Sequence, residues 1–284
     1  MKILIIGSGG MLGHVTTLFL KNIGHHVVDI SKKRTINKNT LLIDVLEKDA
    51  LSSELLSTFD VVINCAALLV NASEKDKPRA ILMNSWFPHY LEENLLHTKT
   101  KIIQVSTDGV FFGDKAPYQE NIYPDTKTFY GRTKALGEVV NTKDLTIRAS
   151  FVGPDMHKEG EGLFHWFVQQ KGVVKGYSKV MFNAVTNLEF ANFVSYAIEK
   201  NISGLYHLRA SESISKHCFL SKVKQQFRLN NVILKENDDI ISDNTLANTR
   251  NEVGYICKSY NEMLSELEMW MRENKWAYPH YSFL

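Results

Sequence analysis

Three glycines near the N-terminus, spaced as Gly7-x-x-Gly10-x-x-Gly13, constrain the fold of this chain more than any other feature. They follow an apolar run and precede a helical pattern, which is the context that a dinucleotide-binding turn requires. Glycine permits the tight turn and lets the backbone approach a pyrophosphate, whose charge is favoured at a helix N-terminus. A tight turn without a ligand is the alternative. The predicted contacts to the cofactor phosphates are Gly7, Gly10, Met11 and Leu12.

Short apolar runs alternate with longer helical patterns through the first half of the chain. Strands are predicted over residues 3–6, 26–30, 60–64, 101–106 and 145–148, and helices over residues 11–23, 46–56, 79–96 and 129–140. Apolar strands that alternate with helices are typical of a parallel sheet covered on both faces. Right-handed crossovers make such a sheet doubly wound. We therefore expect an α/β fold whose residues 1–150 form an NADP-binding Rossmann domain.

The pattern is less regular after Phe151. Helices are predicted over residues 161–171, 187–200, 215–227 and 260–274, and a strand over residues 204–208. Residues 151–284 are expected to form a smaller, mainly substrate-binding lobe that is partly interleaved with the first domain.

Composition excludes several classes of protein. The formal charge of +2 is too small to indicate a nucleic-acid partner or an anionic membrane surface. The three cysteines form no CxxC pair, which favours a reducing compartment with neither a disulfide framework nor a zinc site. No segment approaches the roughly 20 apolar residues of a membrane helix. We expect a cytoplasmic protein that binds no metal.

The end of the second predicted strand distinguishes NADH from NADPH. An acidic side chain there accepts from the ribose 2′-hydroxyl, whereas a basic one pairs with a 2′-phosphate. Ser31 falls at the expected strand end and is followed by Lys32, Lys33 and Arg34, while Asp29 lies inside the strand. This favours NADPH, with a solvated basic loop as the alternative. A strand that ended two residues earlier would place Asp29 at the ribose and favour NADH.

Later apolar runs end in further candidate cofactor contacts. Asp44, followed by Val45, is placed to accept from the adenine amino group or to cap the next helix. Cys65, Ala66 and Ala67 are small enough for the backbone to pass flat against a cofactor, although plain helix–sheet packing would also select them. His14 is expected on the surface of the first helix.

A candidate proton-transfer site lies in mid-chain. Tyr130 and Lys134 are spaced i, i+4 and share one helix face. A phenol with a pKa of about 10 needs a nearby cation to stabilise its phenolate, and Lys134 would supply it and also hold the nicotinamide ribose. Ser106 and Thr107 end the preceding strand, at the sheet edge where ligands bind. We predict Thr107, Tyr130 and Lys134 as catalytic residues, with Ser106 at the cofactor. A surface Tyr/Lys pair is the alternative.

Together, the glycine turn, the Ser106-Thr107-Asp108 run and the Tyr130-x-x-x-Lys134 pair resemble the extended short-chain dehydrogenases/reductases. Within them, the chain is most similar to the dTDP-4-dehydrorhamnose reductase branch of polysaccharide biosynthesis. The similar stretches span most of the chain and cover residues 62–67, 83–88, 106–113, 118–120, 146–151 and 204–208.

The resemblance implies a reaction. NADPH would give a hydride to C4 of a nucleoside-diphosphate 4-keto-6-deoxy sugar, and Tyr130 would protonate the oxygen. The second lobe would grip the nucleotide. Loop capping by Asp108 and a buried structural role for Asn84 are alternatives to substrate contact. The substrate contacts implied are Thr107, Asp108, Asn84, Phe151 and Asn183.

The chain departs from the family pattern at two positions. Gly109 replaces a familiar tyrosine, which suggests a different or bulkier sugar, and Phe151 stands where tryptophan is frequent. A UDP-linked N-acetyl-6-deoxyhexose 4-reductase, a nucleotide-sugar epimerase and a non-catalytic NADP-binding regulatory subunit are alternative functions. The basic strand end disfavours the epimerase, and the intact Thr107, Tyr130 and Lys134 disfavour the regulatory subunit. The nucleotide base, the sugar and the choice between monomer and homodimer stay open.

Overall fold

The structure is a computed structural model that describes residues 1–47 and 50–284. Its largest sheet has seven parallel strands. From one edge to the other they are β11 (Gly204–His207), β6 (Leu145–Arg148), β5 (Lys101–Val105), β4 (Val61–Asn64), β1 (Lys2–Ile6), β2 (His26–Ser31) and β3 (Leu41–Leu42). The chain leaves β1 toward β2 on one side and returns to β4 on the other. This reversal confirms the predicted doubly wound fold and places a ligand crevice at the carboxyl ends of β1 and β4.

Helices cover both faces of the sheet. The helices of the described residues, some of which pack on the small sheets instead, are α1 (Met11–Asn22), α2 (Ser53–Leu56), α3 (Val70–Lys75), α4 (Lys77–Ile81), α5 (Phe87–Leu95), α6 (Phe129–Leu136), α7 (Leu163–Val168), α8 (Asn187–Glu199), α9 (Lys216–Gln226) and α10 (Tyr260–Glu273). Successive residues of β1 face opposite cores: Ile3 and Ile5 pack on one side, and Leu4 and Ile6 on the other. Burial on both faces explains why the strand is apolar throughout.

The second half of the chain adds small sheets beside the carboxyl edge and also returns to the large sheet through β11. Strand β8 (Gly172–Tyr177) pairs in parallel with β13 (Val232–Asn237). Strand β9 (Val180–Phe182) lies between β12 (Ile214–Ser215) and β14 (Ser242–Asp243), and β7 (Phe151–Val152) pairs with β10 (Val185–Thr186). Within the described ranges, no helix combines the length and the apolar character needed to cross a membrane.

The predicted helix over residues 46–56 is wrong over most of its length. Only α2 is helical there, capped by Ser52, while residues 48 and 49 lie outside the described ranges. The side chain of Asp44 accepts a hydrogen bond from the amide of Leu46, and the backbone carbonyl of Asp44 accepts one from the amide of Glu47. Such local side-chain bonds compete with helix formation.

The predicted helix over residues 79–96 is helical throughout but contains a π-helical stretch, Leu82–Trp86, between α4 and α5. Pro88 has no N–H to donate to the carbonyl of Asn84, four residues earlier. The carbonyl of Asn84 instead faces Gly137, where a Cβ would collide with it. Helix α6, predicted to continue to residue 140, ends at Leu136 beside this contact. A π-helical insertion of this kind often marks a functional site.

Candidate active site

The glycine turn has the predicted strand–turn–helix context. Gly7 adopts φ +83°, and a Cβ on it would lie 2.6 Å from the backbone nitrogen of Ala66. Gly10 caps α1, whose first-turn N–H groups have no partner within the helix and carry partial positive charge. Gly7, Gly10 and Met11 remain partly exposed, whereas the side chain of Leu12 is buried in the core. Backbone groups are therefore what this turn can offer to a phosphate.

His14 is buried, so its expected place on the helix surface is wrong. Its Nδ1 lies 2.9 Å from the carbonyl oxygen of Gly10, and its Nε2 lies 2.9 Å from the hydroxyl of Tyr278. Helix α8 and the C-terminal residues cover this face of α1, and Asn187 of α8 donates to the carbonyl of Met11. Burial lowers the pKa of His14 to about 4. The imidazole is therefore neutral and structural.

The second strand ends where the sequence predicts. Strand β2 continues to Ser31, and Asp29 lies inside it, 1% exposed and ion-paired with Lys21 at 2.8 Å. Asp29 is thus unable to meet a ribose at the strand end, so the condition that favoured NADH is not met. Lys32 and Lys33 follow the strand and are exposed.

Lys32 and Lys33 line a cavity of about 430 Å³. Asp44 also lines it and pairs with Lys32 at 2.7 Å and with Arg79 at 2.8 Å. Burial raises the pKa of Asp44, but the hydrogen bonds from these two cations outweigh burial and lower it to about 2. The helix-capping alternative for Asp44 is wrong because α2 begins only at Ser53. The side chain of Val45 packs into the core below β1, so it does not face the cavity.

Cys65, Ala66 and Ala67 follow β4 and form the partly exposed floor between the glycine turn and the mid-chain site. Ala66 lies directly under Gly7. Burial raises the pKa of the Cys65 thiol to about 12, and the nearby charge of Lys134 opposes this only in part. The thiol is neutral, and the floor connects the turn to Lys134.

The structure brings Thr107, Asp108 and Tyr130 together at the carboxyl end of β5. Thr107 Oγ1 accepts from the amide of Gly109 at 3.0 Å and donates to Asp108 Oδ1 at 3.2 Å. It also hydrogen-bonds the hydroxyl of Tyr130, and this bond acts to lower the pKa of Tyr130. Thr128 caps α6 by accepting from the amide of Gly131 at 3.0 Å, and α6 then presents Tyr130 to the crevice.

The electrostatics of this group favour a protonated phenol. Burial raises the pKa of Tyr130 to about 12, and the negative charge of Asp108 adds to the effect. Burial also raises the pKa of Asp108, against hydrogen bonds from Thr107 and Ser150. The expected stabilisation of a phenolate by Lys134 is therefore not what this structure shows. The phenol of Tyr130 therefore keeps its proton at neutral pH.

The hydroxyl of Ser106, predicted at the cofactor, is engaged elsewhere. It donates to Glu138 Oε1 at 2.6 Å. Glu138 forms a buried two-point ion pair with Arg148, at 2.7 and 2.6 Å. Our sequence predictions missed this pair, although an arginine in a strand buried on both faces was a signal for it. Ser106 can face a cofactor only through its backbone.

Two asparagines predicted to contact substrate hold backbone instead. Asn84 accepts from the amide of Leu68 at 2.8 Å and donates to the carbonyl of Leu68 and the hydroxyl of Thr133. Asn183 makes a two-way pair with the backbone of Leu246, at 2.8 and 3.0 Å. Both are buried with their amides satisfied, which supports the structural alternative for Asn84 and contradicts side-chain contact with substrate by either residue.

The two departures from the family pattern are Gly109, which lies beside Tyr130, and Phe151, which begins β7. A Cβ on Gly109 would lie 3.3 Å from Thr107 Oγ1 and 3.8 Å from Tyr130 Cε1. The glycine therefore leaves the space next to the phenol open. Phe151 is partly exposed and packs edge-on against Phe190, with ring centroids 5.3 Å apart.

Comparison with known proteins gives consistent matches. The family model described as RmlD substrate binding domain matches residues 1–245. The spore coat polysaccharide biosynthesis protein SpsK of Bacillus subtilis is 28% identical over 243 residues, which cover 82% of each chain. A dTDP-4-dehydrorhamnose reductase of Mycolicibacterium smegmatis is 31% identical over 140 residues, 48% of this chain but only 40% of that protein. A dTDP-4-dehydrorhamnose reductase of Bacillus anthracis, solved in complex with NADP, shares the fold with a TM-score of 0.79 at 18% identity, over 94% of this chain and 98% of that one.

Proposed function

The chain belongs to the family described as RmlD substrate binding domain, and on this premise we propose that it is an NADPH-dependent reductase of a nucleoside-diphosphate 4-keto-6-deoxy sugar. The observation that supports the proposal is at the carboxyl end of β5, where Thr107 lies beside Tyr130 and Lys134 bonds the carbonyl of Val105. The glycine turn follows β1 at the same edge of the sheet. The relatives named as dTDP-4-dehydrorhamnose reductase and spore coat polysaccharide biosynthesis protein support a role in surface polysaccharide synthesis.

The residues of the crevice fit a nicotinamide dinucleotide. The open N-terminus of α1 and the close approach of Gly7 to Ala66 form a backbone cradle for the pyrophosphate. Ser31, Lys32 and Lys33 would face the 2′-phosphate, and Lys134 the nicotinamide ribose. When bound, the cofactor supplies the hydride. The reductase of known structure that is in complex with NADP supports NADPH rather than NADH.

The chain itself contributes proton transfer and orientation. Tyr130 is protonated at neutral pH because burial and Asp108 raise its pKa, so it can give its proton to the oxygen of the substrate carbonyl. Thr107 lies beside it and can donate to the same oxygen once it releases Asp108. Asp108 and Phe151 would then contact the sugar. Lys134 is fixed by the carbonyl of Val105 at 2.7 Å.

A sugar with a bulkier substituent, such as an N-acetyl group on a UDP-linked 6-deoxyhexose, is favoured by one observation. The backbone of Gly109 leaves room next to Tyr130 that a side chain would fill. The same proposal places the protein in the cytoplasm, as its three free cysteines favour, and leaves monomer and homodimer as alternatives.

The proposal is tested by mixing the protein and NADPH with dTDP-, UDP- and GDP-linked 4-keto sugars, including N-acetylated ones, and following NADPH oxidation. Tyr130→Phe should reduce turnover by about a hundredfold or more while NADPH binding persists. Tyr123→Phe, at a site 87% exposed, is the matched control and should be fully active.

Three outcomes would contradict the proposal. Turnover by Tyr130→Phe at the wild-type rate would remove the phenol from the reaction. NADPH binding without turnover of any sugar would favour the regulatory subunit. Tightly bound NAD with an epimerised product would favour the epimerase.

A further inference from the structure

A segment of the second half of the chain, residues 154–162, crosses the glycine turn. At its start, Asn187 donates to the carbonyl of Pro154 at 3.2 Å and to that of Met11 at 2.9 Å, so one side chain joins the segment to the turn. At its end, a Cβ on Gly162 would lie 3.5 Å from Met11 Sδ. The segment is therefore joined to the first turn of α1 at its start and lies close to that turn at its end.

Internal hydrogen bonds fix the shape of the segment. The amide of Asp155 donates to the hydroxyl of Tyr281 at 3.0 Å, and Asp155 Oδ1 accepts from the amide of His157 at 2.9 Å. The carbonyl of His157 accepts from the amide of Gly160 at 3.0 Å. These bonds hold His157 at the centre of a defined turn, so the direction of its side chain is set by the backbone.

The imidazole of His157 faces the glycine turn. The backbone of Gly9 and the guanidinium of Arg34 are both close to it, and burial together with the positive charge of Arg34 lowers the pKa of His157. Arg34 is itself packed on the turn, since a Cβ on Gly9 would lie 2.9 Å from Arg34 Cβ. Among the residues that the structure describes, His157 Nε2 is buried without a hydrogen-bond partner. A buried ring nitrogen without a partner is unfavourable unless a ligand satisfies it.

We propose that His157 is a cofactor-binding residue whose imidazole, beside Gly9 of the glycine turn and near Arg34, hydrogen-bonds a phosphate of the dinucleotide. The inference rests on the proposed function in taking a dinucleotide as the ligand. A phosphate oxygen beside the two side chains accepts from the ring nitrogen and pairs its negative charge with the guanidinium of Arg34. The pyrophosphate and the 2′-phosphate present the same chemistry here.

The test is a calorimetric titration of the full chain with NADPH and, in a separate experiment, with NADH. His157→Ala and His157→Gln should each raise the Kd for NADPH by about tenfold, the loss of one charge-assisted hydrogen bond. Lys158→Ala is the matched control because it removes an exposed cation from the same segment, and its Kd should be unchanged. Thermal unfolding of each variant checks that the fold persists. If His157→Ala unfolds, the binding measurement is made with His157→Gln.

The two cofactors separate the sources of the phosphate. An equal loss for NADPH and NADH assigns the pyrophosphate, and a loss for NADPH alone assigns the 2′-phosphate; both support the proposal. Wild-type affinity in both His157 variants, or an equal loss in Lys158→Ala, overturns it while leaving the proposed function intact. Failure of the wild-type protein to bind either dinucleotide instead overturns the proposed use of NADPH.

Discussion

Lys134 Nζ donates to the backbone carbonyl of Val105 at 2.7 Å, so the ammonium is held at the point where β5 ends. The side chain is 3% exposed. Burial lowers its pKa from 10.5 to about 8, and the negative charge of Glu138 opposes this shift. The arrangement fixes the position of the cation at the expense of folding stability.

This predicts an alkaline gain in stability. Between pH 8 and 10.5 the unfolded chain binds more protons at Lys134 than the folded chain does, so the free energy of unfolding rises with pH in that window. Below pH 8 the folded protein bears the whole cost of burying the charged ammonium of Lys134. Relative to Lys134→Met, the wild-type protein should gain roughly 3 kcal/mol from pH 7 to the top of the window. Urea unfolding at several pH values measures this, and parallel pH profiles for the two proteins would contradict it.

The hydrogen bonds of Asn84 connect the π-helical stretch to the helix that carries Tyr130, so we expect a change at Asn84 to affect catalysis. Asn84→Ala leaves the buried amide of Leu68 without its partner. The carbonyl of Leu68 and the hydroxyl of Thr133 each lose one hydrogen bond and keep another. The variant should lose about 2–3 kcal/mol of stability, and kcat should fall more than the sugar KM rises. Glu93→Ala, at an exposed site of α5, is the control. A raised sugar KM at unchanged stability would restore the direct substrate contact that the structure argues against.

The strand-end lysines predict cofactor preference. Lys32→Ala combined with Lys33→Ala should raise the Kd for NADPH by about tenfold or more. The Kd for NADH should rise much less, because only NADPH carries the 2′-phosphate. Asp44 keeps its bond to Arg79 in this variant, so the cavity should survive. Lys99→Ala, an exposed lysine before β5, is the control. Equal losses for both dinucleotides would show that the two lysines do not recognise the 2′-phosphate.

The sequence predicted six of the seven strands of the large sheet and the long helices, because apolar periodicity reports burial directly. It did not predict the strands of the small sheets, such as β8 and β13, whose residues are partly exposed. The end of β2, the glycine turn and the approach of Tyr130 to Thr107 all follow from local patterns. The predicted helix over residues 46–56 failed because Asp44 bonds its own following backbone, and side-chain chemistry of this kind overrides a weak helical pattern.

Side-chain partners from distant parts of the chain could not be predicted in this way. Asn183 meets Leu246, and Ser106 meets a Glu138–Arg148 pair. Each contact depends on how separate segments pack, and periodicity carries no information about that. The direction of a polar side chain toward a crevice or toward the backbone is therefore decided by tertiary structure.

The contact of His14 with Tyr278 also joins distant parts of the chain, and it predicts a pH dependence of stability. A carbonyl only accepts, so His14 Nδ1 carries the proton that is given to Gly10, and Nε2 accepts from the hydroxyl of Tyr278. Because the folded pKa is about 4 against 6.5 unfolded, the stability contributed by neutral His14 is complete above pH 6.5 and is lost as pH falls toward 4.

Tyr278→Phe should therefore lower the free energy of unfolding at pH 7 by about 1–3 kcal/mol, since it leaves Nε2 buried without a donor. His14→Leu should flatten the loss of stability between pH 6.5 and 4. The remaining slope is due to other groups whose pKa is lowered on folding, among them His207, whose pKa burial lowers to about 4. His97→Leu, at an exposed site, should leave the slope unchanged. Urea unfolding across this pH range measures all three variants. An unaltered slope in His14→Leu would show that His14 takes up its proton in the folded and unfolded states alike.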